Sequence, residues 1–135
     1  MKTQLLALAL LGMLTAQSVV AHHAFTTAYD MRKPMMLSGA VAAVHWANPH
    51  TTFDIKVTEA NKAATTWTVE LDDTADLEKM GWTPKTLAVG DQVKADGWVA
   101  KDGSHRLGAK SVTLKSGKVL SATSSFYEEA SGKSE

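Results

Sequence analysis

Cysteine is absent from this sequence. Its absence excludes disulfides, thiolate metal sites, thiol redox chemistry and cysteine nucleophiles. A surplus of charge is absent as well, since 14 Lys and Arg balance 14 Asp and Glu over 135 residues. Nucleic-acid binding needs a clustered basic excess to displace counterions, so this balance argues against it. Beyond residue 21 no apolar run is long enough to anchor the chain in a membrane. Enzyme signatures are missing too. No serine occupies a nucleophile elbow, and neither a His-Glu-x-x-His pair nor a phosphate loop occurs. Glu70 and Asp72 lie close in sequence, but nothing marks them as a buried acid–base pair. A non-enzymatic protein is expected.

What is present begins with a leader. Met1-Lys2 precedes the apolar run LLALALLGMLTA, and Val19, Val20 and Ala21 follow as small residues. One positive charge, a short apolar stretch and a small-residue exit define a secretory signal peptide. Cleavage is expected after Ala21, because Val19 and Ala21 both suit the peptidase pockets. Cleavage after Ala16 would leave Leu14 in the outer pocket. Removing the leader takes Lys2 away from the 14 basic residues, leaving 13 against 14 acidic ones. The expected organisation is a signal peptide over 1–21, a mature N-terminal arm over 22–34, a folded domain over 35–120 and a flexible polar tail over 121–135. The expected destination is the periplasm. A domain of about 100 residues can hold together there on its core alone.

Within the domain, apolar periodicity marks strands. MMLSGAVAAVHW, residues 35–46, alternates at Leu37, Gly39 and Val41, then slips to Val44 and Trp46. A slip just after glycine predicts a bulge or a coiled strand. Asn48-Pro49 stops it, because proline cannot donate to a ladder. Phe53, Ile55 and Val57 form the inward face of a second strand, and Trp67, Val69 and Leu71 that of a third. The period then changes. Asp73 can cap a short helix, Asp76 sits in its first turn, Leu77 and Met80 share one face, and Gly81 can end it. Val93 to Val99 and residues 105–114 complete the set, joined at the Asp102-Gly103 turn. The predicted fold is mainly β: a small five-stranded OB-like barrel with one short helix between strands 3 and 4. An open meander with the helix packed on it is the competing arrangement.

Five histidines, His22, His23, His45, His50 and His105, carry most of the chemical interest. Cleavage after Ala21 makes His22 the amino terminus. A terminal histidine offers an α-amine and a ring nitrogen that chelate one ion together, and His23 or His50 can supply a third nitrogen. Nitrogen-rich tetragonal sites suit Cu(II) best among common divalent metals. The amine titrates near ~8, so metal must displace a proton and binding should weaken in acid. The plainer alternative is a frayed, empty terminus. His50 follows Asn48-Pro49 at a turn near the rim where OB-type domains bind ligands. Local backbone hydrogen bonding would explain that turn equally well. His45 should point opposite to Trp46, toward solvent, and His105 should be exposed.

Other residues have plainer explanations. Met31, Met35 and Met36 could ligate Cu(I), but a strand entrance and core filler explain them better. Of the tryptophans Trp46, Trp67, Trp82 and Trp98, most are expected in the core. Helix capping accounts for Asp72, Asp73 and Asp76, whose spacing lacks the regularity of a calcium loop.

Ordered short motifs then line up with a known family. They are Ala21-His22-His23-Ala24-Phe25, Tyr29-Asp30, Lys33-Pro34, Leu37-x-Gly39-x-Val41, Trp46-x-Asn48-Pro49-His50 and Trp67-x-x-Glu70. Gly81-Trp82, Leu87-x-x-Gly90-Asp91-x-Val93, Asp102-Gly103 and Ser111-Val112-Thr113-Leu114 continue the series. The chain resembles the domain of unknown function 6152 family of small exported bacterial proteins, from the leader to about residue 120. The resemblance implies an exported OB-like β-barrel and no established activity. It carries over His22, His23, Asn48, Pro49 and His50 as motif residues. Met35-Met36 stand where a Val-Thr-like pair is expected and His105 where Asn is expected, which weakens any copper site built on them. The function expected is an exported binding module, with Cu(II) as the candidate ion and His22, His23 and His50 as its ligands. The alternative is an accessory domain that binds a periplasmic protein, and an uncharacterised enzyme comes third. The expected partners are a small ligand, a metal ion or a periplasmic protein, with no nucleic acid and no membrane.

Overall fold

The computed structural model describes residues 25–61 and 63–124. The chain is mainly β. Its strands are β1 (Tyr29–His45), β2 (Thr52–Thr58), β3 (Ala64–Glu70), β4 (Gln92–Ala100), β5 (Arg106–Thr113) and β6 (Val119–Ser121). One helix, α1 (Thr74–Lys79), separates β3 from β4, and a single helical turn over 25–28 precedes β1. The strands form one sheet in the order β3-β2-β1-β4-β5-β6. Neighbours in that order are antiparallel, and β3 also pairs with β5 in parallel, Thr68–Glu70 against Arg106–Gly108.

The long first strand serves two neighbours. Pro34 to Ala40 pair with β4, and Ala40 to His45 pair with β2. The slip expected after Gly39 is found as a register shift between Val41 and Ala43. Gly39 itself, just before the shift, sits at a close approach of two backbones. A Cβ on Gly39 would lie 2.0 Å from the Lys56 carbonyl oxygen, so only glycine lets the strands meet at the bend. Inward residues of every strand then converge. Leu37, Phe53, Ile55, Val69, Leu107 and Val112 are buried in one cluster.

The helix follows its sequence signals. The Asp73 carboxylate accepts from the Asp76 amide at 2.8 Å, Leu77 and Met80 are buried, and Gly81 adopts φ +96 just past the end. Trp82 is buried behind it and donates its indole N–H to the Ser121 carbonyl at 2.7 Å.

Three expectations are corrected. Strand β1 begins at Tyr29, not at residue 35, so the second half of the expected arm is sheet. Tyr29 pairs with Ala100 and Pro34 with Trp98. Exposed Met31 and Arg32 and the charged Lys33 hid that start from a search for alternation. A sixth strand also exists, beyond the five that periodicity predicts, and it runs into the segment that composition reads as a tail from residue 121. Leu120 and Ala122 are buried, and Ala122 donates its amide to the Lys110 carbonyl. Three residues flanked by Ser, Lys and Thr carry no periodic signal. Finally, Met31, Met35 and Met36 are exposed rather than core filler. In that half β1 pairs only with β4, and residues 31–36 are exposed on both faces of the strand.

Among the described residues no helix is long and apolar enough to cross a membrane. The leader, His22, His23 and the segment after residue 124 lie outside the described residues.

Candidate functional site: a carboxylate shared by four elements

Glu70 closes β3, held on both sides by pairing with Thr52 and Gly108. Its Oε2 accepts from the Tyr29 hydroxyl at 2.5 Å and from Arg106 Nη2 at 2.7 Å. Its Oε1 lies 3.5 Å from His50 Nδ1. The Glu70 side chain is 13% exposed, against 34% for His50 and 48% for Arg106. One largely covered carboxylate therefore collects a phenol, a guanidinium and an imidazole. Charge-assisted bonds of this kind fix geometry more firmly than neutral ones. Burial, and then the Glu70 carboxylate beside it, push the Tyr29 phenol well above its ordinary value.

His50 reaches this place because its loop is tied at both ends. The Asn48–Pro49 peptide is cis. Asn48 Oδ1 accepts from the amide and the hydroxyl of Thr74, both at 3.0 Å, and so docks the loop on the start of α1. Thr51 is buried, donates its amide to the Asp72 carbonyl at 3.0 Å and accepts from the Leu71 amide at 2.8 Å. Trp46 packs against the core just before the loop. The motif residues Trp46 and Asn48 thus act on the backbone, and His50 is left to face Glu70.

The first described turn packs on Tyr29, the phenol that binds this carboxylate. The Phe25 ring sits 4.9 Å from that of Tyr29 and 6.1 Å from that of Trp98, edge-on to the indole. Both Phe25 and Tyr29 rest over Gly108, where an added Cβ would come within 2.7 Å of either ring. Lys101 ties the turn down further, its Nζ donating to the Thr26 carbonyl at 2.8 Å and its amide to the Ala28 carbonyl.

The remaining candidates sort as follows. His45 is exposed, as its alternation with Trp46 requires. His105 is exposed and stacks on Trp67 at 4.8 Å, apart from the Glu70 cluster. The carboxylates of Asp72, Asp73 and Asp76 lie within 4.8 Å of one another. Each has structural work. Asp72 accepts from the Asp73 and Ser124 amides, Asp73 caps α1, and Asp76 pairs with Lys79.

Sequence alone gives no site role to Tyr29 or Arg106, and it offers Glu70 only as a carboxylate near Asp72. Tyr29 and Glu70 sit in short motifs, Tyr29-Asp30 and Trp67-x-x-Glu70, which gave a weak signal. Arg106 gave none, because the parallel β3–β5 pairing that delivers it joins residues far apart in the chain.

The model of a family of unknown function, DUF6152, matches residues 10–110. No curated protein matches the chain. The chain belongs to the DUF6152 family.

Proposed function

For this member of the DUF6152 family, we propose an exported binding module that is cut after Ala21 and holds Cu(II) at its new terminus. In this reading the sheet is an OB-like barrel. Support comes from the ring of pairings β1–β2–β3–β5–β4–β1, the bent first strand and the helix between β3 and β4. His22 supplies its α-amine and imidazole, and His50 or His23 supplies the third nitrogen.

One chain of contacts carries the reading. Phe25 packs on Tyr29, Tyr29 binds Glu70, and Glu70 faces His50. His22 is three residues before Phe25, a span of at most ~10 Å. Among the described histidines, His50 is the one that faces the carboxylate bound by Tyr29, which is what recommends it as the third ligand. Three nitrogens with a bidentate terminus favour Cu(II) over harder cations.

The test is calorimetric titration of Cu(II) into protein whose mass begins at His22, beside a variant with one extra N-terminal residue. The chelate predicts at least a tenfold loss in the extended protein. Equal affinity in the two would sink it. Affinity should also fall with pH as the amine retains its proton.

A second reading, a protein-interaction domain working through a strand edge, is favoured by the exposed thioethers of Met31, Met35 and Met36 along β1. It predicts that Met36→Lys abolishes capture of a periplasmic partner, whereas N-terminal extension leaves capture unchanged.

A further inference from the structure

We propose that a hollow on the outer face of β1, β4 and β5 binds the phosphate group of a small phosphate monoester, with Lys94 as its central contact. The site shares no residue with the Glu70 cluster and is independent of copper.

Strand register builds it. Leu37, Val93, Ala95 and Val112 are buried in the core, so their neighbours Ser38, Lys94 and Thr113 face outward. Ser38 pairs with Lys94, and Lys94 with Thr113, which sets one residue from each of three strands in a single row. Directly opposite side chains lie roughly 4.5–5.5 Å apart at Cβ, so two hydroxyls flank one ammonium. Gln92 and Lys115 join these three around an open hollow of about 300 Å³. Among the described residues, none hydrogen-bonds the side chain of Ser38, Gln92, Lys94 or Thr113. Lys115 donates to Asp91 Oδ1 at 3.1 Å, yet its side chain is 70% exposed. The lining therefore gathers two ammonium groups, two hydroxyls and an amide, and it contains no carboxylate.

That donor set suits a phosphate. A phosphate ester carries about −1.5 to −2 charge at neutral pH and three strong acceptor oxygens, and lysine engages it as a point charge. A carboxylate has only two oxygens, and the planar arginine fork that matches it best is absent from the lining. Val93 and Leu114 also line the hollow, so the carbon stem of an ester gains contacts that inorganic phosphate lacks. The competing account is an ordinary solvated strand face, and two carboxylates favour it. One is Asp91. It is already occupied, by Lys115 and by the Ala88 amide. The other is Asp96, one row along β4 between Met36 and Ser111, and it does not line the hollow.

Nitrogen–proton NMR titration of the labelled protein separates these accounts, with glycerol 3-phosphate, inorganic phosphate, acetate and glycerol as probes. Glycerol 3-phosphate should give saturable shifts at the amides of Ser38, Lys94, Thr113 and Gly117, which all border the hollow. Inorganic phosphate should bind the same place more weakly, and glycerol should leave it unmoved. Lys94→Gln should weaken the ester about 10-fold, the value of one hydrogen bond to a charged group. Ser38→Ala and Thr113→Val should cost about 3-fold each. Lys94 supports no described contact, so its variant should melt with the wild type. Lys118→Gln, outside the lining, should bind as the wild type does. Shifts that never saturate, or equal losses in Lys94→Gln and Lys118→Gln, mean diffuse attraction to surface lysines and overturn the site. Acetate binding as tightly as the ester overturns the phosphate assignment. Cosedimentation with phosphatidylcholine vesicles carrying phosphatidic acid then identifies the source of the group. Lys94-dependent cosedimentation points to a lipid headgroup, and ester binding without it points to a free metabolite, each upholding the site.

Discussion

Tyr29, at the start of the first strand, donates its hydroxyl to Glu70, at the end of the third, across 41 positions of sequence and 2.5 Å of space. That bond joins the entry of the fold to the β3–β5 pairing and holds the first described turn against the carboxylate. Four expectations follow from this end of the molecule and from the strand at the other.

Removing the hydroxyl leaves Glu70 bonded to Arg106 but short of one donor. Tyr29 is almost fully buried, so water cannot readily replace it. Tyr29→Phe should lower stability by about 1–3 kcal/mol, the range for orphaning a covered hydrogen-bond partner. Urea unfolding with an unchanged slope measures this, and a cost under ~0.5 kcal/mol would show the bond to be idle.

The same phenol makes a pH prediction. Burial and the neighbouring carboxylate raise its folded value above the ordinary 10.0. A raised value means the folded state binds the proton more tightly, so its contribution is whole below pH 10.0 and is lost as pH climbs beyond it. With Tyr127→Phe, Tyr29 is the single tyrosine left of two. Its phenolate absorbance should then rise only together with alkaline unfolding. Ionisation near pH 10.0 in folded protein would contradict the burial.

Gly108 is a seat for two rings, and Gly39 is a contact between two backbones. A methyl on Gly108 meets the Phe25 ring at 2.6 Å, and a ring can swing away. Gly108→Ala should cost about 1–3 kcal/mol, as overpacking does, and should speed amide exchange over residues 25–28. On the Cu(II) reading, affinity should fall with it. A methyl on Gly39 meets the Lys56 carbonyl at 2.0 Å with no side chain to yield. Gly39→Ala should therefore destabilise more, and the reverse ranking in thermal melts would refute this account.

The last strand belongs to the fold. Leu120 is 6% exposed within the core cluster, so Leu120→Ala should cost about 2–5 kcal/mol. Denaturant unfolding decides this, and a loss below ~1 kcal/mol would return β6 to the status of a tail.

Local pattern was enough for some of this protein. Alternation at Phe53, Ile55 and Val57 and at Trp67, Val69 and Leu71 marked strands, because side chains of period two meet one core. Asp73 and Gly81 bounded α1, because capping and left-handed termination are short-range effects. The slip after Gly39 foretold the bend in β1. The exposure of His45 followed from its place beside Trp46.

Pairing between distant segments decided the rest. Nothing in the residues around Arg106 indicates Glu70, since only the parallel β3–β5 register brings them together. Nor does the charged stretch from Met31 to Lys33 reveal that β1 has already begun at Tyr29. The Asn48-Pro49-His50 motif was visible as a turn, but its docking on Thr74 and Asp72 placed His50 beside a carboxylate. Sequence determined which residues could bind an ion, because that follows from their chemistry. Tertiary structure decided which carboxylate His50 faces, because that depends on distance in space and not on separation along the chain.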